Sequence, residues 1–202
     1  MKKLIHTSFC LIMVFCLIIF SCNTCSAQEP SLGEFDLQVK KWAGECKNDI
    51  IAEFQKLLDS KILTEFQLFD TFYIPVPGTD PQKYHTQYDS HADKVLQKIL
   101  DDYLAKDTRL IFVVAVDING YLPTHNSKYS KPLTGSRDED FINNRTKRIF
   151  NDRTGLAAAR NIKPFLIQRY SRDTGEEMAD LSIPVFINDR HWGAVRFGYK
   201  YK

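Results

Sequence analysis

Apolar residues recur every three or four positions from Glu34 to about Phe69, at Phe35, Val39, Trp42, Cys46, Ile50, Phe54, Leu57, Leu58, Phe66 and Phe69. This spacing puts them on one face of a long helix, with a kink or break at Asp59-Ser60. A helix of ~35 residues reaches ~50 Å, more than a small domain needs, so part of it is a candidate surface for a homodimer. Phe72 to Pro81 follows, where three prolines and a glycine forbid a central helix or strand and predict an extended, ordered loop. Helical spacing returns from Asp89 to Ala105 through Val95, Leu96, Ile99, Leu100, Tyr103 and Leu104, with Asp89 or Ser90 as the N-cap.

The pattern then changes period. Ile111 to Val116 is a β-branched and aromatic run, the composition of a strand buried on both faces. Asp117-Ile118-Asn119-Gly120 supplies turn chemistry and predicts a hairpin that returns along Tyr121 to Asn126, with Pro123 marking an edge or a strand end. Ser127 to Asp140 reads as loop. Phe141 to Asp152 reads as a short basic helix carrying Arg145, Lys147 and Arg148, which the alanine-rich stretch Leu156 to Arg160 extends. Strands are predicted at Pro164 to Tyr170, Met178 to Ile187 and Trp192 to Tyr199, joined by turns at Ser171 to Gly175 and Asn188 to His191. Helices followed by successive hairpins imply an α+β fold, an antiparallel sheet with helices and loops covering one face.

The N-terminus adds a compartment. Met1-Lys2-Lys3 is a basic start, and Phe9 to Phe20 is apolar and too short to span a bilayer, as in a signal peptide. Two exits are open: lipoprotein-type cleavage before Cys22, which would be lipidated, or ordinary cleavage after Ala27. The division expected is 1–27 leader, 28–72 tether and long helix, and 73–202 folded domain. The protein is then extracytoplasmic, in the periplasm or on the cell surface, and its contact with the membrane is through the lipid anchor alone. Without Lys2 and Lys3 the basic and acidic residues balance, which argues against nucleic acid as a partner. Outside the leader region the only cysteine is Cys46, so no disulfide framework, CxxCH haem attachment or zinc site is expected.

The residues with binding chemistry cluster around the central strand. Asp117 ends it. Tyr121, His125 and Asn126 stand on the return with ring faces and hydrogen-bonding groups suited to a small polar or aromatic ligand. Arg145 and Arg148 bring planar guanidinium forks that suit a carboxylate or phosphate. Arg169, Tyr170 and Asp180 stand at or near strand ends, where they would close the far side of one cavity. Enzymatic chemistry finds no support: there is no GxSxG elbow, no HExxH, no phosphate loop and no dinucleotide fingerprint, and no cofactor is expected.

The strings VAVDINGYLPTHN, NRTKRIFNDRTGLAAARN, PFLIQRYSRD and DLSIPVFINDRHWGAVRFGY, in that order from about Tyr73 to Tyr199, resemble the extracytoplasmic Cache domains, relatives of PAS domains, of bacterial methyl-accepting chemotaxis proteins. The resemblance implies a five- or six-stranded antiparallel sheet, a cavity between the sheet and its covering loops, and signal input rather than catalysis. Chemoreceptors continue into a membrane helix and a signalling coiled coil, whereas this sequence stops at Lys202. The expectation is a stand-alone sensory domain that binds a small, possibly anionic molecule and reports to a separate, unknown signalling partner. Two alternatives stay open: an accessory lipoprotein acting by protein–protein contact, with an exposed apolar stripe on the long helix, and a haem or redox sensor ligated non-covalently by His125 or His191.

Overall fold

A computed structural model describes residues 32–171, 175 and 177–200. The leader, Cys22 and most of the turn expected at 171–175 lie outside the described residues. Helix α1 (Glu34–Asp59) starts at Gly33, whose amide donates to the Asp36 carboxylate at 3.0 Å. It ends where the break was expected, at Asp59-Ser60, and Lys61 turns the chain at φ 58°. The short helix α2 (Glu65–Leu68) follows, capped by the Thr64 hydroxyl, which accepts from the Gln67 amide.

The proline-rich loop holds one two-residue ladder, β1 (Ile74–Pro75) with β2 (Tyr84–His85). Helix α3 (Asp89–Leu104) comes next, with Tyr88 as its N-cap. Asp89 is therefore the first helical residue rather than the cap, where an acidic side chain suits the positive end of the helix dipole.

Four strands form the main sheet: β3 (Leu110–Asp117), β6 (Leu166–Ser171), β7 (Glu177–Ile187) and β8 (Arg190–Tyr199), fully antiparallel in the order β3-β8-β7-β6. This is fewer than the five or six that the resemblance implied. Alternation along the strands sorts the side chains onto two faces. Val113, Ala115, Leu181, Val185, Val195 and Phe197 pack against Val39, Ile50 and Phe54 of α1 and Leu96 and Leu100 of α3 in one core. Phe112, Val114, Val116 and Met178 turn to the opposite face and form a second, smaller one. All eight residues of β3 are buried, as its composition predicted, but the strand stands at the edge of the sheet, paired with β8 alone, and not at its centre.

Two local expectations fail. The return from the turn, β4 (Tyr121–Leu122), does not pair with β3 but with β5 (Arg148–Ile149). Proline at 123 has no amide to give and ends the strand early, and the edge of β3 is met instead by the Asn126 side chain, whose Oδ1 accepts the Val113 amide at 2.9 Å. The basic segment after Phe141 is not helical. The helix lies earlier, as α4 (Arg137–Asn143), where Asp138, Glu139 and Asp140 fill the first turn. Asn144 to Phe150 then leaves the helix, turning at Thr146-Lys147, where Lys147 has φ 61°, because its amides are taken by outside carbonyls: Arg145 by Tyr129, Lys147 by Leu122 and Phe150 by Gly120, at 2.8, 2.8 and 2.9 Å. Helix α5 (Arg153–Ala159) closes the insert, with the Asp152 carboxylate accepting the amides of Thr154 and Gly155.

The insert meets the turn after β3 at a single carbonyl. Gly120 has φ +80°, and a Cβ on it would stand 2.3 Å from the Phe150 carbonyl oxygen; one on Gly155 would stand 2.2 Å from the same atom. Only glycine at both positions lets the insert close this tightly onto the turn.

Candidate functional site

Between the second face of the sheet and the insert lies a partly enclosed cavity of about 360 Å³, within the range of small-molecule sites. Its floor is apolar: Phe112, Val114 and Val116 of β3, with Leu122 and Phe150 at the side. Its polar groups come from three directions. His125 follows β4, Arg145, Asp152 and Thr154 belong to the insert, and Tyr170, Ser171 and Arg196 rise from the sheet.

Arg196 and Asp180 are the charged pair of the floor. Arg196 is 6% exposed and Asp180 fully buried, and both the Nε and an Nη of Arg196 donate to Asp180 Oδ2. Burial alone would lower the guanidinium's pKa, but the adjacent carboxylate reverses this and holds it above its ordinary value. The Tyr170 hydroxyl donates to the same carboxylate oxygen at 3.5 Å. Asp180 Oδ1 and, two residues along the strand, Ser182 Oγ have no hydrogen-bond partner among the described residues. Both sit at cavity-side positions of β7, below the floor and not among the residues that line the cavity.

The insert presents stacked cations. The Arg145 guanidinium lies 5.6 and 5.3 Å from the ring centres of Phe141 and Phe150, and that of Arg148 lies 5.0 and 5.1 Å from the same two rings. Both send an Nη toward the Phe141 carbonyl, at 3.5 and 3.3 Å. The aromatic faces hold the two planar groups in orientation while leaving them charged. Arg145 lines the cavity, and Arg148 stands behind it. His125, 3% exposed, accepts the Asn126 amide on Nδ1 at 2.7 Å.

Of the nine anticipated ligand contacts, His125, Arg145 and Tyr170 come together at the cavity, with Arg148 and Asp180 directly behind them. Asn126 is wholly buried and committed to the edge of β3. Three others lie elsewhere, because the two-residue period of the strands sends their side chains to the helix side. Asp117 accepts the hydroxyls of Tyr73 and Tyr88 at 2.7 and 3.1 Å and the amides of Asn119 and Tyr121. Burial pushes its carboxyl above the usual range, although these hydrogen bonds pull it back. The Tyr121 hydroxyl donates toward the Tyr84 carbonyl and Asp89. Arg169 pairs with Asp36 at 3.1 Å and ties β6 to the start of α1.

Arg196 went unnoticed in the sequence. Between Val195 and Phe197 an alternating strand sends Arg196 to the opposite face, which reads from sequence as solvent; it is buried because the insert covers that face, and a buried charge needs a partner. His191 donates from Nε2 to the Gly193 carbonyl at 2.9 Å in the β7–β8 hairpin and has no place in the cavity. Among the described residues no group of His, Cys, Asp and Glu could hold a metal ion, and no helix is long and apolar enough to cross a membrane.

Fold and site together define an α+β domain with a ligand-sized, arginine-lined cavity on the sheet face opposite its long helix. No family model and no curated protein matches the chain. Among solved structures it is similar to an extracellular ligand binding receptor from Desulfohalobium retbaense DSM5692, at 15% identity over 84% of this chain and 26% of that one, with a TM-score of 0.39. It is also similar to the ligand binding domain of the Pseudomonas aeruginosa PAO1 amino acid chemoreceptor PctC in complex with GABA, at 12% identity over 82% of this chain and 61% of that one, with a TM-score of 0.32. The chain thus spans less than two thirds of either structure. At these scores neither likeness bears on ligand or mechanism.

Proposed function

We propose that this is an exported, Cache-like sensory domain that binds a small molecule bearing an anionic group in the cavity between sheet and insert, and reports occupancy to a separate partner. The observation that carries the reading is the cavity itself: about 360 Å³, apolar below, with Arg145 and Arg196 at its wall and floor. An aliphatic or aromatic ligand body would lie on Phe112, Val114 and Phe150, and its anionic group would meet Arg145. We place the leader within residues 1–27, cleaved either before a lipidated Cys22 that serves as the anchor or after Ala27, the tether and long helix at 28–72, and the sensory domain at 73–202. The signal would be a shift of population: a ligand bridging insert and sheet favours the closed arrangement, by its difference in affinity for the two states. The accessory-lipoprotein alternative required an exposed apolar stripe on the long helix. Val39, Ala43, Cys46, Ile50 and Phe54 are buried in the protein's own core, while Leu37 on α1 and Ile62 and Phe66 beyond it are exposed, so a protein partner or a second copy would meet those residues.

The test is thermal unfolding of the exported protein against a panel of carboxylates, amino acids and purines. A ligand at a hundred times its dissociation constant adds about 2.7 kcal/mol of stability. We expect carboxylate-bearing compounds to raise the melting temperature and their amides or esters to fail. A folded protein that none of the panel stabilises would overturn the reading.

A further inference from the structure

We propose that Lys83, on the far side of the insert from the cavity, is the positioning residue that sets the Arg145 guanidinium; the inference rests on the cavity reading above for its use, but not for its test. Lys83 is 5% exposed. Its Nζ donates to Asn144 Oδ1 at 2.6 Å, to the Thr146 carbonyl at 2.7 Å and to the Asn144 carbonyl at 3.3 Å. These acceptors belong to the residues immediately before and after Arg145, so a single ammonium grips the backbone on both sides of it. The neighbouring bonds complete the grip: Asn144 Nδ2 donates to the Lys131 carbonyl at 2.6 Å, and the Arg145 amide donates to the Tyr129 carbonyl. One step further on, Lys147 reaches Asp93 Oδ2 and the Pro123 carbonyl, both at 2.6 Å, and fastens the same segment to α3.

The three acceptors of Lys83 are amide oxygens and not carboxylates. Charge-assisted bonds to fixed carbonyls are strong and directional, but they do not neutralise. The charged groups facing Lys83 are Arg148 and Lys147 on the segment it grips and Asp140 on α4. Burial first, then the two neighbouring cations, lower its pKa to about 8, with Asp140 opposing. Lys83 thus changes charge near pH 8, and Arg145 is the cavity residue whose backbone it holds on both sides.

The test is the arginine Nε signal of the exported protein followed by NMR across pH, in the wild type and in the Lys83→Met and Lys83→Arg variants. In the wild type we expect the Arg145 signal to move in one step centred at about pH 8, while Arg196, held by Asp180, stays still. Lys83→Met should displace the Arg145 signal at low pH and abolish the step. Lys83→Arg, which keeps the charge, should abolish the step with a smaller displacement. An Arg145 signal in Lys83→Met that matches the low-pH wild type overturns the proposal. If Lys83→Met does not fold, a wild-type Arg145 signal with no inflection near that pH overturns it equally. Where the carboxylate panel has found a binder, Lys83→Met should weaken it by about tenfold or more. A panel without binders removes the ligand reading and leaves the Arg145 signal to decide this one.

Discussion

Asp180 and Arg196 show how a charge survives beneath an apolar floor. Each is at the middle of a strand, both are inside the protein, and two hydrogen bonds from guanidinium to one carboxylate oxygen join them. A pair of this kind gains little over a well-packed apolar pair, but losing one partner leaves a buried, uncompensated charge. We therefore expect Arg196→Met to cost about 3–5 kcal/mol in urea unfolding and Asp180→Asn/Arg196→Met to cost clearly less. Equal losses in the two would mean that packing rather than charge governs the site. At this scale the sequence was half legible. Asp180 stood out as an acid near a strand end, and its partner did not, because strand-to-strand register decides which arginine it meets. Asp117, Tyr121 and Arg169 have binding chemistry, but chemistry alone does not place them. Which face of the sheet each one serves depends on register, and a shift of one residue exchanges the faces.

Elements were more legible where a period was long and unbroken. Both long helices and the strands β3, β7 and β8 fall where spacing or composition put them, since their apolar faces are consumed by a single core. The insert is not legible locally because its conformation is imposed from outside: basic residues at 145, 147 and 148 suit a helix, but carbonyls from two other segments, at 120–122 and at Tyr129, claim the amides first. The β7–β8 hairpin is the reverse case, with local chemistry in control. Its two-residue turn, Asn188-Asp189, has φ of 48° and 61°, the pair of left-handed residues that matches the twist of the strands. Asparagine is at ease there and aspartate less so. Asp189→Gly should raise stability by about 0.5–1 kcal/mol in chemical denaturation and leave the cavity and its ligand response unchanged. A loss of stability would show that the Asp189 side chain contributes more than its backbone strain costs.

Across the whole molecule the helix layer is stitched to the sheet by phenols. Tyr88, Tyr121 and Tyr199 are completely buried, and each donates its hydroxyl to a carboxylate: Tyr88 to Asp117, Tyr121 to Asp89 and Tyr199 to Asp36. Burial first, and then the adjoining acid, raise all three well above the ordinary phenol value. A group whose pKa is higher folded than unfolded lends stability that is complete below the unfolded value and is lost as pH rises past it. The three tyrosines therefore act together from about pH 10 upward, each removing about 1.4 kcal/mol per pH unit. Lys83 has the opposite sign: its folded pKa of about 8 lies below the ordinary 10.5, so its contribution grows with pH between those values. The expected profile of urea stability is level or slightly rising from about pH 8 to 10, then a fall much steeper than one titrating group can produce. Phenolate absorbance should separate the causes. Exposed tyrosines ionise while the far-UV circular dichroism is intact, and the remaining absorbance should appear only as the helices melt. Full ionisation of every tyrosine in a still-helical protein would show that the links between helices and sheet open without unfolding, and that the two layers can part at their phenols, as a signal passing from cavity to helix would require.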